Sequence, residues 1–225
     1  CSFLNDLSSK ILDEKSIKNT DVKTFAFWLR KKNFDKYIKK YVDNMKRVGL
    51  GLVLHITPSN IPTNFAYSFV FGLISGNANI VRLSQKTTEQ DQIILKNISQ
   101  LFKRNKYKKL KENNAFVRYQ QDDIINSYLC SYADAKVVWG GNKTVEYFKN
   151  IKSKPKIREV FFPDRFSIGV LDANKLKLLN EQAFKQLIKN FYNDTYLVDQ
   201  NACSSPRLIV WLNDKTNKMK KKFWS

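Results

Sequence analysis

From residue 48 onward, short apolar runs alternate with longer amphipathic segments, and this pattern restricts the fold more than any other feature of the chain. The apolar runs have the length of strands, and the amphipathic segments have the spacing of helices. Strands that are apolar almost throughout and are separated by helices form parallel sheets covered on both faces. The sequence therefore predicts an α/β fold with a doubly wound, mostly parallel sheet.

The predicted strands are residues 48–56, 78–83, 115–119, 135–139, 157–162, 166–171 and 208–212. The predicted helices are residues 62–74, 88–103, 123–132, 143–150 and 175–193. Thr87, with Gln90 three positions on, has the spacing of a capping box at the start of the second helix. We divide the chain into a helical lead-in (residues 1–46), the α/β domain (47–195) and the start of a second α/β domain (196–225).

Ligands of such sheets bind beyond the carboxyl ends of the strands. The loops at residues 57–60, 84–87 and 140–142 follow three predicted strands, so we expect them on one rim of the sheet. The chain has no Gly-x-Gly-x-x-Gly motif and no glycine-rich phosphate loop that ends in Lys-Ser/Thr. A nucleotide at this rim would therefore bind in another way.

Cys203 lies in a loop of small and polar residues; residues 198–206 read Val-Asp-Gln-Asn-Ala-Cys-Ser-Ser-Pro. A thiolate is a strong nucleophile, so an accessible cysteine in such a loop suits covalent acyl chemistry. The alternative is an inert, half-buried cysteine. If only the sequence of this loop is considered, the inert cysteine is the better interpretation. The other cysteines are Cys1 and Cys130, and this odd, widely spaced set predicts free thiols in a reducing compartment rather than disulfides or a metal site.

The formal net charge of +20 is compatible with a different class of protein, a basic nucleic-acid-binding or scaffold protein without catalytic activity. The lysines are spread along every predicted helix without a recognised nucleic-acid-binding motif, so we interpret them as solvated helix faces that also attract a polyphosphate cofactor. No segment has the apolar length of a membrane span or the pattern of a signal peptide, so we expect a cytoplasmic protein. The chain begins without methionine and stops soon after a predicted strand, so we expect a piece of a longer protein.

Four ordered motifs carry a family resemblance. Residues 55–62 read His-Ile-Thr-Pro-Ser-Asn-Ile-Pro, residues 76–84 read Gly-Asn-Ala-Asn-Ile-Val-Arg-Leu-Ser, and residues 138–141 read Val-Trp-Gly-Gly, followed by the Cys203 loop. In this order and spacing they resemble the aldehyde dehydrogenase superfamily and, within it, the acyl-CoA reductase family of bacterial bioluminescence. The resemblance covers residues 48–212 and implies that residues 47–195 bind a nucleotide cofactor.

The resemblance also implies roles for individual residues. Cys203 matches the cysteine that accepts the acyl group as a thioester, and Asn60 matches the asparagine that helps to hold the oxyanion. The implied contacts to the cofactor are Thr57, Pro58, Ser59, Arg82, Ser84, Gly140 and Gly141. Arg82, with Lys86 near it in sequence, could reach a 2′-phosphate and so implies NADPH; an exposed arginine at a strand end is the alternative. His55 is interpreted as a core or rim residue rather than as the base that deprotonates Cys203.

Hydrolytic relatives carry a Glu-Leu-Gly-Gly-Lys segment whose glutamate activates water, whereas residues 161–165 of this chain read Phe-Phe-Pro-Asp-Arg. Without that glutamate a thioester should be hydrolysed slowly, although Asp164 and Glu159 remain as nearby carboxylates. The resemblance therefore implies an NADPH-dependent, metal-free reduction of long-chain fatty acyl-CoA to the fatty aldehyde. The alternative is an aldehyde dehydrogenase that oxidises an aldehyde to the acid or to acyl-CoA. An acyl-transferase or acyl-protein synthetase partner and a homo-oligomeric state are further implications.

Overall fold

The computed structural model describes residues 2–41, 48–196 and 199–225, which contain eleven α-helices and seven β-strands. Cys1 and Val198, which entered the sequence predictions, lie outside these ranges. The chain divides into two compact units, Cys1–Pro163 and Asp164–Ser225. Within the described ranges, no helix combines the length and the apolarity needed to cross a bilayer.

The first unit is built on a five-stranded sheet in which all neighbouring strands are parallel. Its strands are β1 (Leu52–Ile56), β2 (Ala78–Arg82), β3 (Asn114–Val117), β4 (Ala135–Trp139) and β5 (Arg158–Phe162). Their order across the sheet is β3-β2-β1-β4-β5. The chain therefore adds β2 and β3 on one side of β1 and then adds β4 and β5 on the other side. This order confirms the predicted doubly wound, mostly parallel sheet.

Helices cover both faces of this sheet. They are α1 (Ser2–Asp13), α2 (Thr20–Trp28), α3 (Lys31–Tyr41), α4 (Asn64–Ile74), α5 (Glu89–Phe102), α6 (Lys108–Glu112), α7 (Asp123–Tyr132) and α8 (Asn142–Asn150). The first core joins α1, α2, α4 and α5 to one face around Phe25, Phe69 and Val81. The second core joins α7 and α8 to the other face around Ile56 and Val138. Each fully buried side chain of this size contributes about 1.5–3 kcal/mol, so the two cores fix the sheet between its helices.

Several elements differ from the sequence predictions, and the helix predicted at residues 175–193 is divided into two helices, Ala173–Lys177 and Glu181–Tyr196. The first strand begins at Leu52 rather than at Val48, because Gly51 has a φ of 122° and Val48 is 90% exposed. The helix predicted at 88–103 is capped by Thr88 rather than by Thr87. The Thr88 side chain accepts a hydrogen bond from the backbone N–H of Asp91, as an N-cap residue does.

The second unit contains β6 (Ser167–Asp172), α9 (Ala173–Lys177), α10 (Glu181–Tyr196), β7 (Pro206–Leu212) and α11 (Lys218–Trp224). Strands β6 and β7 pair in parallel, from Ser167 beside Pro206 to Asp172 beside Leu212. A small apolar core of Phe184, Met219 and Phe223 packs beneath them.

The first compact unit ends at Pro163, whereas the domain boundary predicted from the sequence lies between residues 195 and 196. The difference arises because β6 pairs with β7, which lies far along the chain, and α10 packs in the same core. An apolar pattern predicts a strand but not its partner. The assignment of residues 47–195 to cofactor binding stays a prediction.

Candidate active site

The three loops predicted to share a rim follow three neighbouring parallel strands. In the sheet register, Ile56 of β1 lies beside Arg82 of β2 and beside Val138 of β4. The carboxyl ends of these strands therefore lie at one edge, as predicted, and the loops at 57–60, 84–87 and 140–142 begin there.

Thr57 ties the first loop to the end of β2. Its backbone N–H and its hydroxyl both donate to the carbonyl oxygen of Arg82, at 3.2 and 2.8 Å. Beyond Thr57 the loop turns outward, because Pro58 is half-buried while Ser59 and Asn60 are exposed. The Asn60 side chain is thus accessible at the rim, as a donor to a substrate oxygen would have to be.

The second loop is held by a residue that the sequence analysis missed. Arg118, just after β3, donates through Nη1 to the carbonyl oxygen of Ser84 and through Nη2 to Asp91 Oδ2, at 2.9 Å for the latter. The Asp91 side chain is only 8% exposed, and it lies in the first turn of α5. Arg118 therefore anchors the Ser84 loop to the start of the helix that follows it. The sequence contained one signal for this role, because Arg118, like Arg82, lies at the carboxyl end of an apolar run.

These two loops form the walls of a small cleft. Among its lining residues are Thr57, Pro58, Ser84, Lys86 and Asp91. The structure thus brings together three of the predicted cofactor contacts, namely Thr57, Pro58 and Ser84, and adds Lys86 to them.

Arg82 lies on the other side of the sheet, towards α7. Its guanidinium stands over the ring of Tyr119, 4.8 Å from the ring centroid, and the Tyr119 hydroxyl donates to Asn126 Oδ1 in α7 at 2.7 Å. Burial raises the pKa of Tyr119, although the nearby Arg82 cation opposes that rise. The buried Nε of Arg82 has no hydrogen-bond partner within the described parts of the chain. A half-buried arginine at the end of a strand suits an anionic group such as a phosphate.

The third loop opens the N-terminus of α8. Gly141 is the N-cap residue and has no side chain to satisfy the first backbone N–H groups of the helix. At Gly140 an added Cβ would lie 2.9 Å from Thr144 Cβ, so this turn approaches the helix as closely as only glycine permits. Free amides at a helix N-terminus bind phosphate oxygens, which is the role predicted for Gly140 and Gly141.

The aromatic residue before this turn is fixed on both sides. The Trp139 ring stacks on Phe162 with centroids 3.7 Å apart, and its Nε1–H donates to the Ser68 hydroxyl at 3.2 Å. The sequence analysis overlooked both contacts.

His55 is buried at the centre of the first unit, 1% exposed, with both ring nitrogens hydrogen-bonded. Burial lowers its pKa, so the imidazole is neutral at pH 7. These observations confirm its interpretation as a satisfied core residue.

Cys203 lies in the second unit, in an exposed loop before β7. Its carbonyl oxygen accepts a hydrogen bond from the Ser167 hydroxyl at 2.7 Å, and the Ser205 hydroxyl donates to the carbonyl oxygen of Asp194 at 2.9 Å. These bonds tie the loop to β6 on one side and to α10 on the other. The cysteine is therefore accessible and its backbone is held.

The two carboxylates near the expected position of the missing glutamate have different surroundings. Glu159 Oε1 in β5 lies 2.7 Å from Nζ of Lys136, whose side chain is fully buried. Asp164 is exposed. Glu159 thus balances the charge of a buried lysine, and its carboxylate is engaged away from the rim.

Residues 26–222 match the family model described as acyl-CoA reductase (LuxC), which covers most of the chain. The chain belongs to the acyl-CoA reductase family. A curated relative, the long-chain acyl-protein thioester reductase of Vibrio harveyi, is 24% identical over an alignment of 186 positions that covers 76% of this chain and 34% of that protein. The member described here thus spans about a third of the length of this relative.

Solved structures show the same fold in aldehyde dehydrogenases. An NAD-dependent benzaldehyde dehydrogenase from Corynebacterium glutamicum has a TM-score of 0.71 at 12% identity, over 98% of this chain and 52% of that one. A glyceraldehyde-3-phosphate dehydrogenase from Methanocaldococcus jannaschii, complexed with NADP, has a TM-score of 0.67 at 14% identity, with the same coverage. This acyl-CoA reductase family member therefore has an aldehyde dehydrogenase-like fold and spans about half of each of these chains.

Proposed function

We propose that this chain carries the cofactor-binding part and the nucleophile of an NADPH-dependent reductase that converts long-chain fatty acyl-CoA to the fatty aldehyde. The observation that carries the proposal is the exposed thiol of Cys203, which lies inside the region that matches the acyl-CoA reductase family. The Vibrio harveyi relative is an acyl-protein thioester reductase, which supports a thioester as the substrate.

In the proposed first step, the sulfur of Cys203 attacks the carbonyl carbon of the acyl thioester. The carbon–sulfur bond to coenzyme A then breaks, the thiol of coenzyme A leaves with the proton that Cys203 gave up, and the acyl group remains on Cys203. The Asn60 amide donates a hydrogen bond to the oxyanion that forms in between. A preorganised donor of this kind lowers the barrier by about 3–4 kcal/mol.

The residues of the rim fit a nicotinamide cofactor. The half-buried guanidinium of Arg82 and the uncapped N-terminus of α8 are suited to phosphate oxygens, and Thr57, Pro58, Ser59 and Ser84 would form the surrounding contacts. The bound cofactor supplies the hydride that reduces the acyl carbon. In doubly wound folds an acidic residue at this strand end favours the 2′-hydroxyl of NAD, whereas an arginine accommodates the 2′-phosphate of NADP. Arg82 at the end of β2 therefore supports NADPH.

The lack of a glutamate in the run at 161–165 supports reduction rather than hydrolysis, although the exposed carboxylate of Asp164 lies in the same run. The carboxylate of Glu159 is engaged by Lys136. A thioester on Cys203 would then persist until it is reduced. Within the proposal, the first compact unit binds the cofactor and the unit from Asp164 onward, which carries Cys203, begins the catalytic domain. An acyl-transferase or synthetase supplies the acyl group to a homo-oligomeric, cytoplasmic enzyme.

The test is to incubate the full-length protein with palmitoyl-CoA and NADPH and to measure aldehyde. We expect aldehyde in the wild type and none in Cys203→Ala, while Cys130→Ala, which removes a buried thiol, retains activity. Undiminished aldehyde formation by Cys203→Ala would refute the covalent role. Release of acid from an aldehyde with NAD and without coenzyme A would favour the oxidising alternative.

A further inference from the structure

Four buried polar residues form a continuous hydrogen-bonded row on one face of the sheet. They are Ser68 on α4, His55 on β1, Asn79 on β2 and Asn114 on β3, and each is at least nine-tenths buried. The distances are 2.8 Å from Ser68 to His55 Nδ1, 2.9 Å from His55 Nε2 to Asn79 Oδ1, and 2.7 Å from Asn79 Nδ2 to Asn114 Oδ1. We call this set the polar row.

The groups that flank the polar row determine which atom donates and which accepts in its hydrogen bonds. Asn79 Nδ2 also faces the carbonyl oxygen of Asn77 at 2.9 Å, and a carbonyl can only accept. Asn79 Oδ1 therefore faces His55 and accepts from an Nε2–H. The Nδ1 of a neutral imidazole is then an acceptor, so the Ser68 hydroxyl donates to it. Trp139 Nε1–H, which can only donate, gives its hydrogen bond to the Ser68 oxygen.

The polar row holds together two parts of the candidate site. His55 precedes the 57–60 loop and Ser68 follows it, so the bond between them closes the base of the loop that carries Asn60. Trp139 directly precedes Gly140 and Gly141. The single oxygen of Ser68 therefore connects the loop proposed to hold the oxyanion with the turn proposed to hold the cofactor phosphates.

We propose that Ser68 is a positioning residue, which keeps the 57–60 loop in register with the turn at 139–141. This role rests on the proposed function, since it acts through Asn60 and Gly140. Donors displaced by about 1 Å can lose on the order of 100-fold in rate, so a residue that fixes two loops at once influences the chemical step without touching the substrate.

The polar row itself is tested without any measurement of activity. In the full-length protein labelled with ¹⁵N-histidine, the imidazole signals that disappear in His55→Gln belong to His55. We expect a neutral ring protonated at Nε2 at pH 7. In Ser68→Ala, Nδ1 should shift towards the value of an unbonded imidazole nitrogen, whereas Ser75→Ala, which removes an exposed hydroxyl at the end of the same helix, should leave the spectrum unchanged. A ring protonated at Nδ1 would overturn the polar row.

The positioning role is tested by kinetics of the full-length protein with palmitoyl-CoA and NADPH. We expect kcat of Ser68→Ala to fall about 10- to 100-fold while KM for palmitoyl-CoA changes by less than about threefold, because Asn60 acts in the transition state. Ser68→Thr keeps the hydroxyl and should recover most of the loss, and Ser75→Ala should match the wild type.

A wild-type kcat in Ser68→Ala overturns the positioning role and leaves the proposed function standing. A higher KM at an unchanged kcat also overturns it. A wild type that forms no aldehyde overturns the proposed function itself, and with it the role of Ser68, whatever the imidazole spectrum shows.

Discussion

The Nδ1 atom of His55 and the hydroxyl of Ser68 lie 2.8 Å apart, so one hydrogen bond joins the strand before the 57–60 loop to the helix after it. Burial keeps the imidazole neutral, so Nδ1 accepts the proton of Ser68, whereas a charged ring would have to donate to the same oxygen. The loop that carries Asn60 is therefore anchored by a group whose protonation state matters.

Stability should fall in mild acid because of His55. Burial lowers the pKa of its imidazole below the ordinary value of 6.5. Below pH 6.5 the imidazole is therefore protonated in the unfolded chain while it is still neutral in the folded chain. The free energy of unfolding should then decrease as pH falls from 6.5 towards the folded pKa, by up to about 1.4 kcal/mol per pH unit. Urea unfolding between pH 5 and 7.5 measures this slope.

The matched variant for that slope is His55→Gln, which removes the sole imidazole of the sequence. It should be less stable at pH 7.5 and should lose the dependence on pH in this interval. Carboxylates whose folded pKa is lowered, such as those of Asp6 and Asp134, titrate below it. An equal slope in wild type and His55→Gln would show that folding does not lower the pKa of His55.

Gly72 on α4 allows the helix to approach the polar row. A Cβ added there would lie 2.0 Å from Asn79 Oδ1 and 2.9 Å from His55 Nε2. Gly72→Ala should therefore destabilise the protein by about 1–3 kcal/mol, as overpacking does. In a double variant with Asn79→Ala, which removes the obstructing oxygen, the two effects should not add. Additive free energies of unfolding would contradict the close approach.

Arg118 should matter for stability more than an exposed cation does. In Arg118→Met the Asp91 carboxylate, with 8% of its side chain exposed, loses its cation, and we expect a loss of about 3–5 kcal/mol. Adding Asp91→Asn should restore part of it. The exposed pair of Lys185 and Glu181 is the control, and Lys185→Met should cost less than about 1 kcal/mol. Equal losses in thermal or urea unfolding would rule out the anchoring role.

Arg82 tests the choice of cofactor. If its guanidinium meets the 2′-phosphate, Arg82→Gln should raise KM for NADPH about 10- to 100-fold and leave KM for NADH nearly unchanged. Arg30→Gln is the control, since that arginine stacks on Phe27 in the helical lead-in. A parallel rise for both cofactors in steady-state kinetics would instead indicate that Arg82 supports Tyr119 and the sheet.

The parallel sheet could be predicted because each strand is a short apolar run between helical segments. The position of the three loops on one rim could be predicted from the parallel sheet. The pairing of β6 with β7 could not, because the apolar pattern of residues 166–171 is the same whichever sheet the strand enters. Long-range pairing is decided by packing, as in the shared core of Phe184 and Phe223.

In the candidate site too, local motifs could be predicted from the sequence and long-range contacts could not. Cys203, Asn60 and Arg82 stand in recognisable motifs, and each lies in a loop or at a strand end. The bonds that hold the loops depend on residues distant along the chain, such as Arg118 with Ser84 and Trp139 with Ser68. No local pattern marks such pairs, although a histidine and two asparagines within apolar strands indicate a buried polar row.

The most direct measurement of the central claim is the mass of the full-length protein after incubation with palmitoyl-CoA alone. We predict an added acyl mass on the peptide that contains Cys203, no adduct in Cys203→Ala, and loss of the adduct with release of aldehyde when NADPH is added. An unmodified wild type, or an adduct that persists in Cys203→Ala, would contradict the account.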